Sequence, residues 1–282
     1  MKIVRTVTEL RAILDHARSA GKRVGFVPTM GWFHEGHLSL MRRSKSESDV
    51  TVVSLFVNPT QFDDPKDLVA YPRDERRDAT MAENEGVDIL FAPEPREIYP
   101  EGFHTTVTVA GLAEPLEGQS RGASHFAGVA TVVSKLFNIV QPTTAYFGQK
   151  DAQQALVIRQ MTRDLNFPVR VVVCPTVREA DGLAMSSRNV RLKGGDRERA
   201  LALRAGLTAA ADAVRRGERR TASVEQLGRD AMHARGVQPE YFAAVSASTL
   251  ATAERLQGEV LLAVAARVGD VRLIDNELVT VE

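Results

Sequence analysis

Val24-Gly25-Phe26-Val27-Pro28-Thr29-Met30-Gly31-Trp32-Phe33-His34-Glu35-Gly36-His37-Leu38-Ser39-Leu40-Met41-Arg42 is the stretch whose reading decides the fold. Val24 to Val27 is a buried-strand pattern. Pro28-Thr29-Met30-Gly31 breaks it, and Leu38, Leu40 and Met41 then supply the apolar positions of a helix. A strand, a Gly-containing turn and a helix in that order make the first half of a βαβ unit. His34 and His37 stand where the turn becomes the helix.

Outward from this stretch the pattern repeats. On the N-terminal side, Leu10, Ile13, Leu14 and Ala17 recur at helical spacing after Thr8-Glu9, and Gly21 can close that helix. On the C-terminal side, residues 50–57 form a nearly continuous apolar run, as in a strand covered on both faces. It ends in Asn58-Pro59-Thr60-Gln61-Phe62, a turn-rich segment. The sequence predicts a loop at 63–72, a helix at 73–85 stopped by Gly86, a strand at 87–92, irregular chain at 93–101 and a short strand at 105–109. A mobile Gly- and Ser-rich segment at 114–124 and helices at 126–140 and 152–165 follow, with strands at 145–147 and 169–174. Strands alternating with helices give an α/β, doubly wound, Rossmann-like parallel sheet. After Pro175 the character changes to long Ala/Arg/Leu helices at 196–216 and 223–235 and strands at 241–245, 260–268 and 271–274. The expectation is a domain at 1–175 and a smaller α+β C-terminal domain at 176–282.

The 282 residues carry 36 basic and 36 acidic side chains and are 44% hydrophobic. A zero net charge gives no reason to expect a nucleic-acid or membrane partner. One cysteine, Cys174, lies inside an apolar strand pattern and reads as a core residue. No long uncharged apolar run and no signal-peptide pattern occur, so the chain reads as a soluble, cytoplasmic protein.

The histidines are spaced to share one face of a helix whose N-terminus carries unpaired N–H groups and partial positive charge. Imidazoles there can donate to phosphate oxygens, and the reading is that ATP binds at this turn. Gly31 and Gly36 would let the backbone approach the nucleotide. The spacing also suits zinc, but no cysteine or third histidine lies nearby, and no metal site is expected. Gly148-Gln149-Lys150-Asp151 follows a short strand and opens a helix; Lys150 suits a phosphate and Asp151 suits an N-cap. Gln154 lies one turn further on. Met185-Ser186-Ser187-Arg188 joins two hydroxyls to a cation, the makings of a phosphate clamp. Gln61, just past a buried strand, can hold a polar substrate. No P-loop, no Gly-x-Gly-x-x-Gly fingerprint and no Gly-x-Ser-x-Gly elbow is present.

Together these pieces resemble the pantothenate synthetase (pantoate–β-alanine ligase) family, within the nucleotidyltransferases that carry a His-x-Gly-His motif. The resemblance rests on Pro28-Thr29-Met30-Gly31 with His34-Glu35-Gly36-His37, Phe56-Val57-Asn58-Pro59-Thr60-Gln61-Phe62, Tyr71-Pro72-Arg73, Phe147-Gly148-Gln149-Lys150-Asp151 with Gln154, and Met185-Ser186-Ser187-Arg188-Asn189. It covers essentially the whole chain. It implies an ATP-dependent ligase that joins pantoate to β-alanine through pantoyl adenylate, releasing pyrophosphate and AMP, with Mg²⁺ accompanying ATP. By the resemblance, His34 and His37 hold phosphates, His37 as a proton donor, while Lys150, Ser186, Ser187 and Arg188 neutralise the triphosphate. Met30, Gly31, Gly36, Gly148, Gln149 and Asp151 line the ATP site, with Val177 and Met185 near the adenine. Gln61 and Gln154 hold pantoate, and Gln61 lies near β-alanine. The resemblance also implies a homodimer, and a C-terminal domain that acts as a lid.

Two positions depart from the family pattern. Trp32-Phe33 replaces a small residue and Leu. Arg121-Gly122-Ala123-Ser124-His125-Phe126 replaces Arg-Pro-Gly-His-Phe, without its proline. Two other readings compete with the ligase. One is a nucleotidyltransferase that adenylylates a phosphate, which the 58–62 segment disfavours. The other is a binding protein that has lost catalysis, which the intact set of His34, His37, Lys150 and 186–188 disfavours.

Overall fold

The computed structural model describes residues 1–62 and 65–281. In chain order these hold β1 (Lys2–Val4), α1 (Val7–Ser19), β2 (Val24–Thr29), α2 (Glu35–Glu47), β3 (Val50–Leu55), α3 (Pro65–Ala70), α4 (Glu75–Asn84), β4 (Ile89–Phe91), α5 (Pro95–Ile98), α6 (Glu117–Arg121), α7 (Ala123–Val140), β5 (Thr144–Gly148), α8 (Ala152–Asp164) and β6 (Arg170–Cys174). Then come α9 (Asp196–Ala200), α10 (Ala202–Arg215), α11 (Thr221–His233), β7 (Pro239–Ser246), β8 (Gly258–Val268) and β9 (Val271–Val281). The chain forms two compact units. One is Met1–Gln149 with Gln153–Pro175; the other is Lys150–Ala152 with Thr176–Glu282.

The first unit is built on a parallel six-stranded sheet of order β1-β4-β3-β2-β5-β6. From β2 the chain winds outward through β3 and β4, then returns to lay β5 on the other side of β2. That reversal makes the β2–β5 boundary the switch point, where doubly wound sheets open a crevice at the strands' carboxyl ends. The middle strands are apolar because helices cover both faces. Val27, Phe33, Met41, Val53, Leu90, Tyr146 and Cys174 belong to one buried cluster.

Several expectations are corrected here. Residues 105–109 form no strand: the Val107 N–H goes to the Thr131 hydroxyl on α7 (2.9 Å) instead of to a ladder. The segment expected as a loop at 63–72 contains α3, which starts at Pro65, a residue suited to a first helical position; positions 63 and 64 lie outside the described residues. α5 and α6 fall in segments expected to be irregular and mobile. The first helix is capped by Thr6, whose hydroxyl accepts from the Glu9 N–H, and not by Thr8.

The second unit carries an antiparallel sheet of order β7-β8-β9, with α10 and α11 sharing its apolar core. α10 and α11 approach closely at Gly206, where a Cβ would strike Met232 and the Gly228 backbone. The single helix expected at 196–216 is broken at Leu201, whose N–H bonds to the Glu198 carbonyl three residues back. β9 runs to Val281, well past the expected end at 274.

Candidate active site

β2 ends at Thr29, and the chain then makes a tight turn. Gly31 has φ 90° and Trp32 has φ 52°, two left-handed residues in succession. A Cβ on Gly31 would collide with Leu55 and Asp78, so only glycine fits. The turn presents the N–H groups of Trp32 and Phe33 to one carboxylate, Asp78 on α4, at 2.6 and 2.8 Å. Arg77 completes the clamp. Its guanidinium donates to Asp78 (3.0 Å) and to the Phe33 carbonyl (2.8 Å), and stacks 4.8 Å from the Trp32 ring centroid. Phe33 is fully buried in the core cluster. Trp32-Phe33 therefore has a structural account: one side chain covers the clamp and the other anchors the turn. Burial raises the Asp78 carboxyl above its ordinary range, and the Phe33 and Trp32 N–H groups act in the opposite direction.

The turn delivers His34 as the N-cap of α2. The His34 Nδ1 accepts from the Gly36 N–H (3.1 Å), and the His37 Nδ1 accepts from the His34 N–H (3.3 Å). The rings lie 4.2 Å apart between centroids. This is a capping box made of two imidazoles. Because each Nδ1 accepts, each neutral ring carries its proton on Nε2 and can donate from there. Gly36 serves the cap with its N–H.

Beyond β3, Asn58 is buried and organises the next turn. Its Oδ1 accepts from the Tyr99 hydroxyl (2.8 Å) and the Thr60 hydroxyl (3.0 Å), and its Nδ2 donates to the Gln61 Oε1 (3.1 Å) and the Gly128 carbonyl (3.1 Å). The Gln61 amide then reaches the Met30 sulfur at 3.0 Å, so Gln61 and Met30 are brought together. His125 Nδ1 stands 2.8 Å from the Gln61 carbonyl oxygen. Gly148 ends β5, beside β2, with open space where a Cβ would stand. Gln149 follows it, half-buried. Gln154, on α8, is half-buried. Its neighbour Gln153 is buried and fully engaged, donating to the Leu112 and Pro115 carbonyls and accepting from the Glu117 N–H. In the altered loop, Arg121 pairs with Glu117 at 2.7 Å.

In the second unit, Lys150 lies 3.6 Å from Asp151, and its carbonyl accepts from the Asn276 side chain (2.9 Å). Val177 and Met185 face each other across a hairpin, the Met185 N–H donating to the Val177 carbonyl at 3.0 Å. The Ser186 hydroxyl accepts from the Arg188 N–H (3.2 Å) and caps the turn Ser187–Arg191. Ser186, Ser187 and Arg188 are all half-buried. Asn189 ties the turn back, donating to Glu179 (2.7 Å) and the Ala184 carbonyl (3.0 Å).

The family model described as pantoate-β-alanine ligase matches residues 2–278. The chain belongs to that family. The family's reaction is the ATP-dependent condensation of pantoate with β-alanine. A pantothenate synthetase of Heliobacterium modesticaldum is 51% identical over 282 residues, all of both chains. Pantothenate synthetase 1 of Bradyrhizobium diazoefficiens is 52% identical, over 98% of this chain and 97% of that one. The crystal structure of pantothenate synthetase from Thermus thermophilus matches with a TM-score of 0.92 at 47% identity, covering 98% of this chain and 99% of that one. That of the pantoate–β-alanine ligase from Francisella tularensis, complexed with β-γ ATP and β-alanine, matches with a TM-score of 0.79 at 35% identity, covering 99% and 97%.

In this ligase the contiguous motifs His34–His37, Gly148–Asp151 and 185–188 stand out in the sequence itself. Asp78, Arg77, Asn58 and Asn276 were missed as organisers. The only available signal for Asp78 was indirect: two successive N–H groups in a left-handed turn require an acceptor.

Proposed function

We propose that this chain makes pantothenate in two steps, with the histidine capping box as the observation that carries the assignment. In the first step a pantoate carboxylate oxygen attacks the α-phosphorus of ATP. The new P–O bond forms as the bond to pyrophosphate breaks, and pyrophosphate leaves. In the second step the amine of β-alanine attacks the acyl carbon; the carbon–oxygen bond to AMP breaks, AMP takes the electron pair, and the nitrogen loses a proton.

Each ring's Nε2–H is a neutral donor at the N-terminus of a thirteen-residue helix, suited to charge that grows on phosphate oxygens as pyrophosphate departs. His37 acts as a hydrogen-bond donor through its Nε2–H, stabilising the departing pyrophosphate. Lys150, Ser186, Ser187 and Arg188 neutralise the triphosphate. Met30, Gly31, Gly36, Gly148, Gln149 and Asp151 line the nucleotide, and Val177 and Met185 flank the adenine. Gln61 and Gln154 hold pantoate, and Gln61 also meets β-alanine; the Asn58 bond to Gln61 supports that role by fixing the amide's orientation. No protein nucleophile is required.

Mg²⁺ carried by ATP would add positive charge at the triphosphate, beside that of Lys150 and Arg188. Among the described residues no group of three or more His, Cys, Asp or Glu could hold a metal ion by itself. The C-terminal domain expected at 176–282 serves as a lid over bound ATP. The protein works as a cytoplasmic homodimer; no described helix is long and apolar enough to cross a membrane.

The test is pyrophosphate exchange into ATP, followed by product analysis with ATP, Mg²⁺, pantoate and β-alanine. Exchange that requires pantoate, with AMP and pantothenate as products, is expected. Exchange that requires a phosphorylated acceptor instead would overturn the assignment.

A further inference from the structure

β9 breaks its own pattern. Val271 and Leu273 are buried at alternate positions, as in a strand with one apolar face. Then two polar residues in succession, Asp275 and Asn276, are 4% and 5% exposed. Burying a carboxylate and an amide in an edge strand is costly unless both are bonded, and a fold-only strand would place apolar residues there.

Both are bonded to the two pieces of chain that carry the cations. Asp275 accepts both arms of the Arg178 guanidinium, at 2.7 and 3.0 Å, a bidentate pair. Arg178 also donates to the Gly182 carbonyl (3.2 Å) and pairs its backbone with Ala184 across the hairpin. That hairpin runs directly into Ser186, Ser187 and Arg188. The Asn276 N–H donates to Asp275 Oδ1 (2.8 Å), and its side-chain Nδ2 donates to the Lys150 carbonyl (2.9 Å). Adjacent residues of one strand thus grip the two segments, 150 and 178–188, that are far apart in sequence.

We propose that Asp275 and Asn276 are positioning residues for the first half-reaction: they hold Lys150 and the 186–188 turn in one frame, so that their charges are set before ATP arrives. This rests on the reading that Lys150 and Arg188 neutralise the triphosphate. Asn276 acts through the main chain of Lys150, and Asp275 through Arg178 and the hairpin.

The test separates the half-reactions. Asn276→Ala is expected to lower kcat for pantoate-dependent pyrophosphate exchange about tenfold, the size of one lost hydrogen bond. With preformed pantoyl adenylate and β-alanine, where no triphosphate takes part, the same variant is expected to keep the wild-type rate. In a Lys150→Ala background, adding Asn276→Ala is expected to change exchange little, because the group it positions is already gone. Wild-type exchange in Asn276→Ala, an equal loss in both half-reactions, or a full multiplicative loss in the double variant would each overturn the inference. Should Asn276→Ala fail to fold, the isosteric Asn276→Asp, which removes the donor to Lys150, is read by the same three criteria. A wild-type protein without pantoate-dependent exchange would instead overturn the reading of the reaction itself.

Discussion

Trp32 stands in the left-handed region at φ 52°, a conformation that costs a non-glycine residue of order 1 kcal/mol. The Asp78 carboxylate sustains it by taking two consecutive N–H groups. Asp78→Asn keeps the size but turns one acceptor into an NH₂ that faces a backbone N–H. It is expected to lower stability by roughly 1–3 kcal/mol in urea melts, the range for a buried donor left unsatisfied. At the chemical step, His37→Ala is expected to cut kcat on the order of 10²-fold with the fold intact, as for loss of a transition-state donor; circular dichroism and exchange kinetics check both halves. Residues of this kind differ in how legible they are. His34 and His37 are visible because their partners lie within the same few residues. Asp78 and Asn276 are not, because what they bond lies 46 and 126 residues away, and nothing local marks an Asp in a charged helix or an Asn in a strand.

Elements follow the same division. β2 and β3 were legible because a strand buried on both faces must be apolar throughout. The short strand expected at 105–109 does not form because a strand also needs a free neighbouring edge, and here a threonine hydroxyl takes the Val107 N–H. The end of β9 was illegible for the opposite reason: Asp275-Asn276 interrupts the apolar pattern for the sake of long-range partners. Around the hairpin between the cation segments, the Arg197 guanidinium hydrogen-bonds Glu179 and holds its carboxyl below the ordinary carboxylate range. A lowered folded value means the pair stabilises above the unfolded value, and that support is lost as pH falls through the folded one. Arg197→Ala is therefore expected to cost less than about 1 kcal/mol near neutral pH, as for a partly exposed pair. The difference from wild type should vanish once the carboxylates are protonated in both states, which urea melts across an acid pH series would detect.

At the scale of the molecule, the sheet order places the β2 turn and the β5 turn on either side of the switch point, where open sheets form a ligand crevice. Strand order itself was not readable: β1 is only three residues long, and it pairs with β4 at the sheet edge. The division into units is also not a matter of sequence order, since Lys150–Ala152 groups with the C-terminal residues while Gln153–Pro175 returns to the first unit. The lid proposal makes a prediction at this scale. Small-angle scattering is expected to give a smaller radius of gyration with saturating ATP and Mg²⁺ than without, and superimposable profiles would count against closure.

Trp32 is the only tryptophan in the chain. Its indole lies against the Arg77 guanidinium, two residues ahead of the histidine that caps α2. The ligase thus carries a native fluorophore on the turn that leads into its proposed phosphate site. Titration with ATP should change tryptophan emission saturably without any label, and Arg77→Ala should alter the resting spectrum by removing the cation from the ring. An emission spectrum indifferent to ATP would mean that the clamped turn holds still while nucleotide binds.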